Sequence, residues 1–531
     1  IGNASPANSQ IESLKATAGG CITLNVNMSL SHNPGADGVT FESPVIIGDG
    51  KTITITTDTG HATADGKVDF DSTISGVETT GNTGTAESLV IVSGTGNVTI
   101  TGNIGATATT AIESLTINST NSATKDGDIT LSGNIGATAA NGTITEGALG
   151  TVTIGNTATD ALTLGGTVYN TNEATYEAKT NADSINLTGT SPTFTSSDDA
   201  ITFTGGRVKL TDGTFTVNSN SGPITIGDIK GTDADNVTLN AGTADSTDAT
   251  VAVGAIGAGN NIVIVSITGN DGVTLNGSIT TEDASNAAVT VASGSGTITL
   301  GTDITIDTNV TNNDGDITLG SIDATTDHGQ ALTIDSGTGA VSIGVIGGTE
   351  QLDGLTVNTA DGASDSGNIT ITGIGGGTAT YGVVGTVAVG NDATNLLTLS
   401  GTSYDTDGTT TYEAKSGADT IKISSASAVE FITNEDDIRF KTGDILLDGG
   451  SSTKITTGTG GAGAITIDAD VDSEALTAEN FQLISGTGAI DVGGAMGAVV
   501  NLGTIDINST DNGSGTTDGA GTIEIGAIGT T

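Results

Sequence analysis

The stretch SLVIVSGTGNVTITGNIGA, Ser88–Ala106, places short apolar alternations on both sides of a Ser-Gly-Thr-Gly turn. Leu89 and Ile91 precede the turn, and Val98 and Ile100 follow it at the same spacing of two. That period puts one apolar face on each of two very short strands. A lone hairpin of such strands would leave its face uncovered, so units of this kind bury a continuous core only by stacking. The unit recurs as AVTVASGSGTITLG ending at Gly301, ALTIDSGTGAVSIGVIGG ending at Gly348 and NFQLISGTGAIDVGGAMG ending at Gly497. Related versions are FTVNSNSGPITIGDIKG ending at Gly231 and TIEIGAIG ending at Gly529. Glycines 94, 96, 337, 339, 486 and 488 take equivalent places. They predict a corner that needs either a positive φ or close contact with the coil above. The fold expected is all-β: an elongated parallel β-solenoid (β-helix) of short Gly-cornered coils, each taking roughly 20 to 30 residues. Tandem β-sandwich domains are the alternative, which would call for aromatic plugs and distinct linkers.

A longer duplication overlies the short one. ALTLGGTVYNTNEATYEAKTNADSINLTG from Ala161 matches LLTLSGTSYDTDGTTTYEAKSGADTIKIS from Leu396, pairing Tyr169 with Tyr404 and Tyr176 with Tyr412. The match continues from SSDDAITFTGGRVKL at Ser196 to TNEDDIRFKTGDILL at Thr433. The repeats divide the chain into an N-terminal cap and first block (1–160), a second superrepeat (161–395) and a third, shortened one (396–531). No helical periodicity is sustained; ESLKATAGG near the N-terminus is the one segment suited to a turn or two of helix, or to a cap over the first coil.

Composition bounds the function. The 531 residues are 34% hydrophobic, below the usual globular share of about 45–50%. Val, Ile and Leu nevertheless recur throughout, interleaved with Thr, Ser, Asn and Asp, which argues for strands rather than disorder. With 61 acidic against 13 basic residues the formal charge is −48. A surface of that sign repels phosphate backbones and anionic lipid heads, so nucleic acid is not an expected partner. Cations are, since carboxylate and carbonyl oxygens suit hard divalent ions such as calcium. No apolar run is long enough to span a bilayer as a helix. The single cysteine, Cys21, cannot form an internal disulfide and reads as an incidental thiol or an intermolecular anchor. The start at Ile1 fits a mature product whose export signal has been removed.

The rhythm of SGTGNVTITGNIGA, ESLTINST and DALTLGGTVYN resembles the β-strand-repeat regions of secreted bacterial surface proteins, filamentous-haemagglutinin-like adhesins and surface-layer proteins among them. The resemblance covers nearly the whole chain and implies an exported rod that displays, adheres or assembles. The chain departs from calcium-binding nonapeptide arrays, having no run of Gly-Gly-x-Gly-x-Asp units, and lacks an EF-hand loop.

Catalytic constellations are missing from the sequence. His32, His61 and His328 lie in polar loop contexts, outside any metal-ligand or nucleophile motif, so no enzyme is expected. Acidic clusters are the site candidates: Asp198 and Asp199 in the first long copy, aligned approximately with Asp436 and Asp437 in the second, where Glu435 adds a carboxylate. Each loop reads either as a calcium site or as a solvated acidic turn, and Asp228, Asp233 and Asp235 read the same way. The Tyr169/Tyr176 and Tyr404/Tyr412 pairs read as stacking between coils, with a sugar- or partner-binding patch as the sharper alternative. TITITT, Thr52–Thr57, has alternate threonines of the kind an ice-binding face uses, but the sequence does not repeat the motif coil after coil. The leading expectation is a self-associating structural subunit of an extracellular surface layer, sheath or filament at the cell surface, stabilised by divalent cations, its partners being copies of itself. The alternative is an adhesin stalk or passenger whose partner is a cell-surface glycan, a matrix component or an outer-membrane anchor. A polysaccharide-acting enzyme is the third class.

Overall fold

The computed structural model describes residues 13–30, 38–58, 65–77, 87–107, 109–118, 126–138, 144–180, 183–232, 234–242, 249–258, 262–282, 288–309, 314–358, 367–377, 380–449, 452–458, 462–474, 479–508 and 521–529. Among these residues there is no helix. Strand pairing is parallel apart from one short antiparallel hairpin, Ala137–Thr138 with Ile144–Thr145. The fold is thus a parallel β-solenoid and not a row of sandwiches. The chain divides into two compact units, Ile1–Ile262 with Ser266–Asp271, and Val263–Val265 with Gly272–Thr531. Each unit contains one copy of the tyrosine-bearing duplication.

Among the described residues of the first unit the coils form three ladders. One runs through Gly38–Phe41, Val68–Phe70, Val98–Ile100, Ile129–Leu131, Leu162–Leu164, Ile185–Leu187 and Val208–Leu210. Its strands expose only their central residue, because the two flanking aliphatics point inward in register with the coil below. A second ladder carries the inward column Ile74, Ile104, Ile135, Tyr169, Phe194, Val217 and Leu239. The third carries Ile55, Ile91, Ile117, Ile154, Tyr176, Phe203 and Ile226. Ser13–Ala16, within the segment expected to form a helical turn, is instead a strand paired with Gly38–Phe41. Its backbone groups find ladder partners there, which one isolated helical turn would not supply.

The second unit repeats the plan. Ile322, Ile346, Ile374, Tyr404, Phe431, Ile455 and Leu483 form one inward column. Ile334, Val357, Val389, Tyr412, Phe440, Ile467 and Val492 form the next. The third runs through Val341, Ile369, Leu397, Ile421, Ile445 and Val471. Burying each such aliphatic contributes about 1.5–3 kcal/mol, so the stack rests on many small equal terms.

The two glycines of the Ser-Gly-Thr-Gly corner do different jobs. Gly94, Gly337 and Gly486 have φ of +56°, +52° and +55°, the left-handed conformation that glycine adopts without strain. The second glycine is required by the coil beneath it. A Cβ on Gly96 would stand 2.2 Å from the carbonyl oxygen of Gly66, and one on Gly339 2.2 Å from that of Gly315. The corner serine closes the turn: Ser93, Ser336 and Ser485 donate Oγ–H to the carbonyls of Gly96, Gly339 and Gly488 at 2.6, 2.7 and 2.7 Å. Two of these serines are held by a buried asparagine from the next coil. Asn118 accepts from the Ser93 amide at 2.8 Å and donates to its Oγ at 2.9 Å. Asn358 treats Ser336 identically, at 2.8 and 2.9 Å. A further asparagine caps each set: Asn156 donates to the Asn118 carbonyl, and Asn391 to the Asn358 carbonyl.

Candidate functional site

The four tyrosines expected to stack or to form a binding patch are all buried in the interior. Tyr169 stacks on Phe194 with ring centroids 4.4 Å apart and planes 5° from parallel, and Tyr176 stacks on Phe203 at 4.8 Å. In the second unit Tyr404 stacks on Phe431 at 4.7 Å and Tyr412 on Phe440 at 5.2 Å. The two columns of each unit then meet edge to face, Tyr176 with Phe194 at 5.3 Å and Tyr412 with Phe431 at 5.7 Å. A sugar face on these rings is ruled out by their burial. Tyr169 and Tyr404 accept backbone N–H bonds from Gly166 and Gly401 at 2.8 and 2.9 Å, whereas the Tyr176 and Tyr412 hydroxyls are buried without a hydrogen-bond partner. Burial raises all four phenols above their ordinary 10.0 and keeps them neutral.

The acidic loops prove to be corners of the same kind. Thr433 donates its hydroxyl to the carbonyl of Asp436, as Ser93 does to that of Gly96. Glu435, in the place of Thr95, has φ +70°, whereas the common corner turns to positive φ one residue earlier, at Gly94. In the first copy the Asp199 amide donates to Ser196 Oγ at 2.9 Å, and the Asp198 carbonyl accepts from Ser221 at 2.9 Å. Gly222 packs on Asp199 and Gly463 on Asp436, so Asp199 is the counterpart of Asp436 and Asp198 that of Glu435, one residue away from the alignment read in the sequence. Asp437 has a structural task, its Oδ1 accepting the Ala464 amide of the next coil at 2.7 Å. Asp228 does the same for Ala255 at 2.9 Å, while Asp235 accepts the amide of Thr232, three residues before it, at 2.8 Å; Asp233 lies outside the described residues. Among the described residues no group of three His, Cys, Asp or Glu is arranged to hold a metal ion. His32 and His61 also lie outside the described residues, His328 stands in a turn with φ +60°, and Cys21 is exposed.

Several basic residues are tied coil to coil. Arg207 reaches Asp183 at 3.2 Å, Lys422 reaches Asp448 at 2.5 Å, Arg439 reaches Asp468 at 2.6 Å and Lys441 reaches Glu413 at 2.7 Å. At such exposure each pair adds about 0–1 kcal/mol, so their effect is to hold register more than to supply stability. Threonines also align better than the sequence shows. Thr54, Thr116, Thr153, Thr175, Thr202 and Thr225 share one outward column, interrupted by Val90, while the column beside it, Thr52, Ser88, Ser114 and Thr151, ends at Glu173.

One outward surface differs between the two copies of the duplication. Behind the second aromatic stack, Ser403, Glu430, Lys454, Gln482 and Asp506 occupy in-register positions on successive strands. Lys454 Nζ lies 2.6 Å from Glu430 Oε1, and Gln482 Nε2 donates to Asp506 Oδ2 at 2.8 Å. With Gly376, Thr402, Asn480 and Thr504 beside it, this column lines a groove of about 650 Å³. The corresponding column of the first copy is Val168, Thr193, Thr216 and Thr238, which carries no charge. Sequence reasoning missed this site because its members are separated by whole coils of unequal length. No helix among the described residues is long and apolar enough to cross a membrane. No protein-family model, no curated protein and no solved structure matches the chain.

Proposed function

We propose that the chain is a structural subunit of an extracellular assembly, a surface layer, sheath or filament, in which copies associate with one another and divalent cations screen the acidic surface. The observation that carries this reading is what the two copies of the duplication have in common. Tyr169 and Tyr404, Tyr176 and Tyr412, Phe194 and Phe431, Phe203 and Phe440 all hold coil on coil, and the Ser–Asn corners do the same. Side chains kept in both copies therefore serve the stack, as expected where the solenoid itself is the product and not a frame for a reaction centre. A charge of −48 opposes close approach of two copies, so bridging or screening cations are needed for lateral contact. Electron microscopy of the full chain at matched ionic strength, with calcium and with a chelator, tests this. Ordered sheets or filaments in calcium that dissolve on chelation are expected. Isolated particles under both conditions would overturn the proposal.

A further inference from the structure

We infer that the groove over Ser403, Glu430, Lys454, Gln482 and Asp506 binds an uncharged, hydroxyl-rich chain, a neutral oligosaccharide lying along the ladder direction. Three observations point there. The first is shape: the groove is open and about 650 Å³, inside the range of roughly 300–1,000 Å³ typical of ligand sites. It follows strands spaced about 4.8 Å apart, a rise close to that of an extended β-linked sugar chain.

The second is chemistry. Along the column stand a hydroxyl, a carboxylate, an ammonium, a carboxamide and a carboxylate, each one rung from the next. Neighbours neutralise or satisfy each other pairwise, Lys454 with Glu430 and Gln482 with Asp506. The ammonium has two more N–H donors than that contact uses, and each carboxylate has further acceptor capacity, so the row, with a net charge of only −1, offers mixed donors and acceptors. Vicinal hydroxyls, which donate and accept at once, complement such a row. A polyanion is disfavoured by the two carboxylates and the −48 charge of the chain, and a polycation by Lys454 at the centre.

The third is divergence between copies on one scaffold. Inward, the copies agree: Tyr169, Phe194, Val217 and Leu239 answer to Tyr404, Phe431, Ile455 and Leu483. Outward, Val168, Thr193, Thr216 and Thr238 answer to Ser403, Glu430, Lys454 and Gln482. The β-branched threonines satisfy the strand surface in the first copy, so coils stack there without charged or amide groups in this column. Binding here does not depend on self-association; a monomer would do it equally well.

Calorimetric titration of the full chain with neutral hexasaccharides of β-1,4-linked glucose, mannose and N-acetylglucosamine tests the inference. At least one is expected to bind saturably, with Kd below about 10 mM. Lys454→Gln and Gln482→Ala, both on half-exposed side chains and checked for an unchanged circular dichroism spectrum, should each weaken it about tenfold. Thr216→Ala, at the position in the first copy that answers to Lys454, should leave it unaltered. Absence of saturable binding by all three hexamers, or binding that survives both groove substitutions, overturns the inference. So does capture of a lysine-rich peptide in their place, if Glu430→Gln abolishes that capture.

Discussion

Asp405 and Asn170 stand at the same point of the two copies, immediately after the stacked tyrosine, and the difference between them has a calculable effect. Asn170 donates from Nδ2 to the Ala137 carbonyl at 2.7 Å. Asp405 accepts from Ser403 Oγ at 2.8 Å through Oδ2, while its Oδ1 is buried without a hydrogen-bond partner. Burial raises its pKa above the ordinary 3.8, the Ser403 bond opposes the shift, and the charge of Glu430 adds to it. A carboxyl that keeps its proton to higher pH when folded stabilises the fold fully below its unfolded pKa of 3.8 and loses that contribution as pH rises through the folded value. At neutral pH the chain therefore carries an ionised carboxylate that the fold disfavours. Asp405→Asn removes the charge without changing shape. The Oδ1 of Asn170 is likewise buried without a hydrogen-bond partner, so the amide relieves the charge alone, and the expected gain near pH 7 is about 1 kcal/mol for a carboxylate only partly shielded from water. That corresponds to roughly fivefold slower hydrogen exchange under conditions where exchange follows the opening equilibrium. The amides to follow are those of Gly382, bonded to the Asp405 carbonyl at 2.8 Å, and Thr406, bonded to Ile432 at 2.9 Å. Below about pH 3.8 the gain should vanish, since both side chains are then neutral. Faster exchange in the variant at neutral pH, or an equal gain at both pH values, would refute the assignment of the burial cost to the carboxylate.

Three further substitutions probe the stack and the corner. Phe431→Ala deletes a fully buried ring between Tyr404 at 4.7 Å and Phe440 at 5.4 Å, and should cost about 3–5 kcal/mol. Because solenoid stability is a sum of nearest-neighbour terms, hydrogen exchange should accelerate in Ser403–Asp405, Val429–Ile432 and Ser452–Thr456 and stay unchanged in Ile298–Leu300; uniform acceleration would contradict this. Gly339→Ala forces a Cβ to within 2.2 Å of a backbone oxygen, whereas Gly337→Ala imposes the positive-φ strain and a 2.6 Å contact with the Asp314 carboxylate, a side chain that can move aside only by giving up its bonds from Thr338. The first should cost clearly more than the second, which is expected near 1–2 kcal/mol, as measured by thermal unfolding followed by circular dichroism.

The fold was legible because its determinants are local. Alternation in Ser88–Val92 and Val98–Ile100, with a Ser-Gly-Thr-Gly turn between, specifies strand, corner and strand within a few residues. What was not legible depends on coil length. Hydrogen bonds that join successive coils span 22 residues between Thr190 and Asp212 but 33 between Thr167 and Asn134. With the period varying this much, residues that share a column cannot be found by counting. The threonine column through Thr116 and Thr225, and the Ser403–Asp506 column, were hidden for that reason. The one-residue misalignment of Asp198 and Asp199 against Asp436 and Asp437 has a different origin. Two adjacent aspartates attract an alignment to themselves, whereas the corner is set by the hydroxyl of Ser196 and Thr433, three residues before the position on which the next coil's glycine rests.

The same physics explains why so many acidic residues are not evidence of a metal centre. A parallel solenoid turns a corner three times per coil, and each turn leaves backbone N–H groups directed at the coil beneath. Asp314 accepts from Thr338 at 2.7 Å, Asp316 from Ala340 at 2.8 Å, Asp323 from Thr349 at 2.9 Å and Asp470 from Ala495 at 2.6 Å. Asparagine performs the identical service at Asn97, Asn103 and Asn480. An acceptor is required at these positions and a charge is not, so Asp and Asn are interchangeable for the fold while differing by one unit in surface charge. Aspartate at such sites therefore raises the charge of the particle without altering its architecture. Replacing accepting aspartates by asparagine is then the substitution that separates the two roles: the coils should remain, and a cation requirement for assembly should weaken with each charge removed.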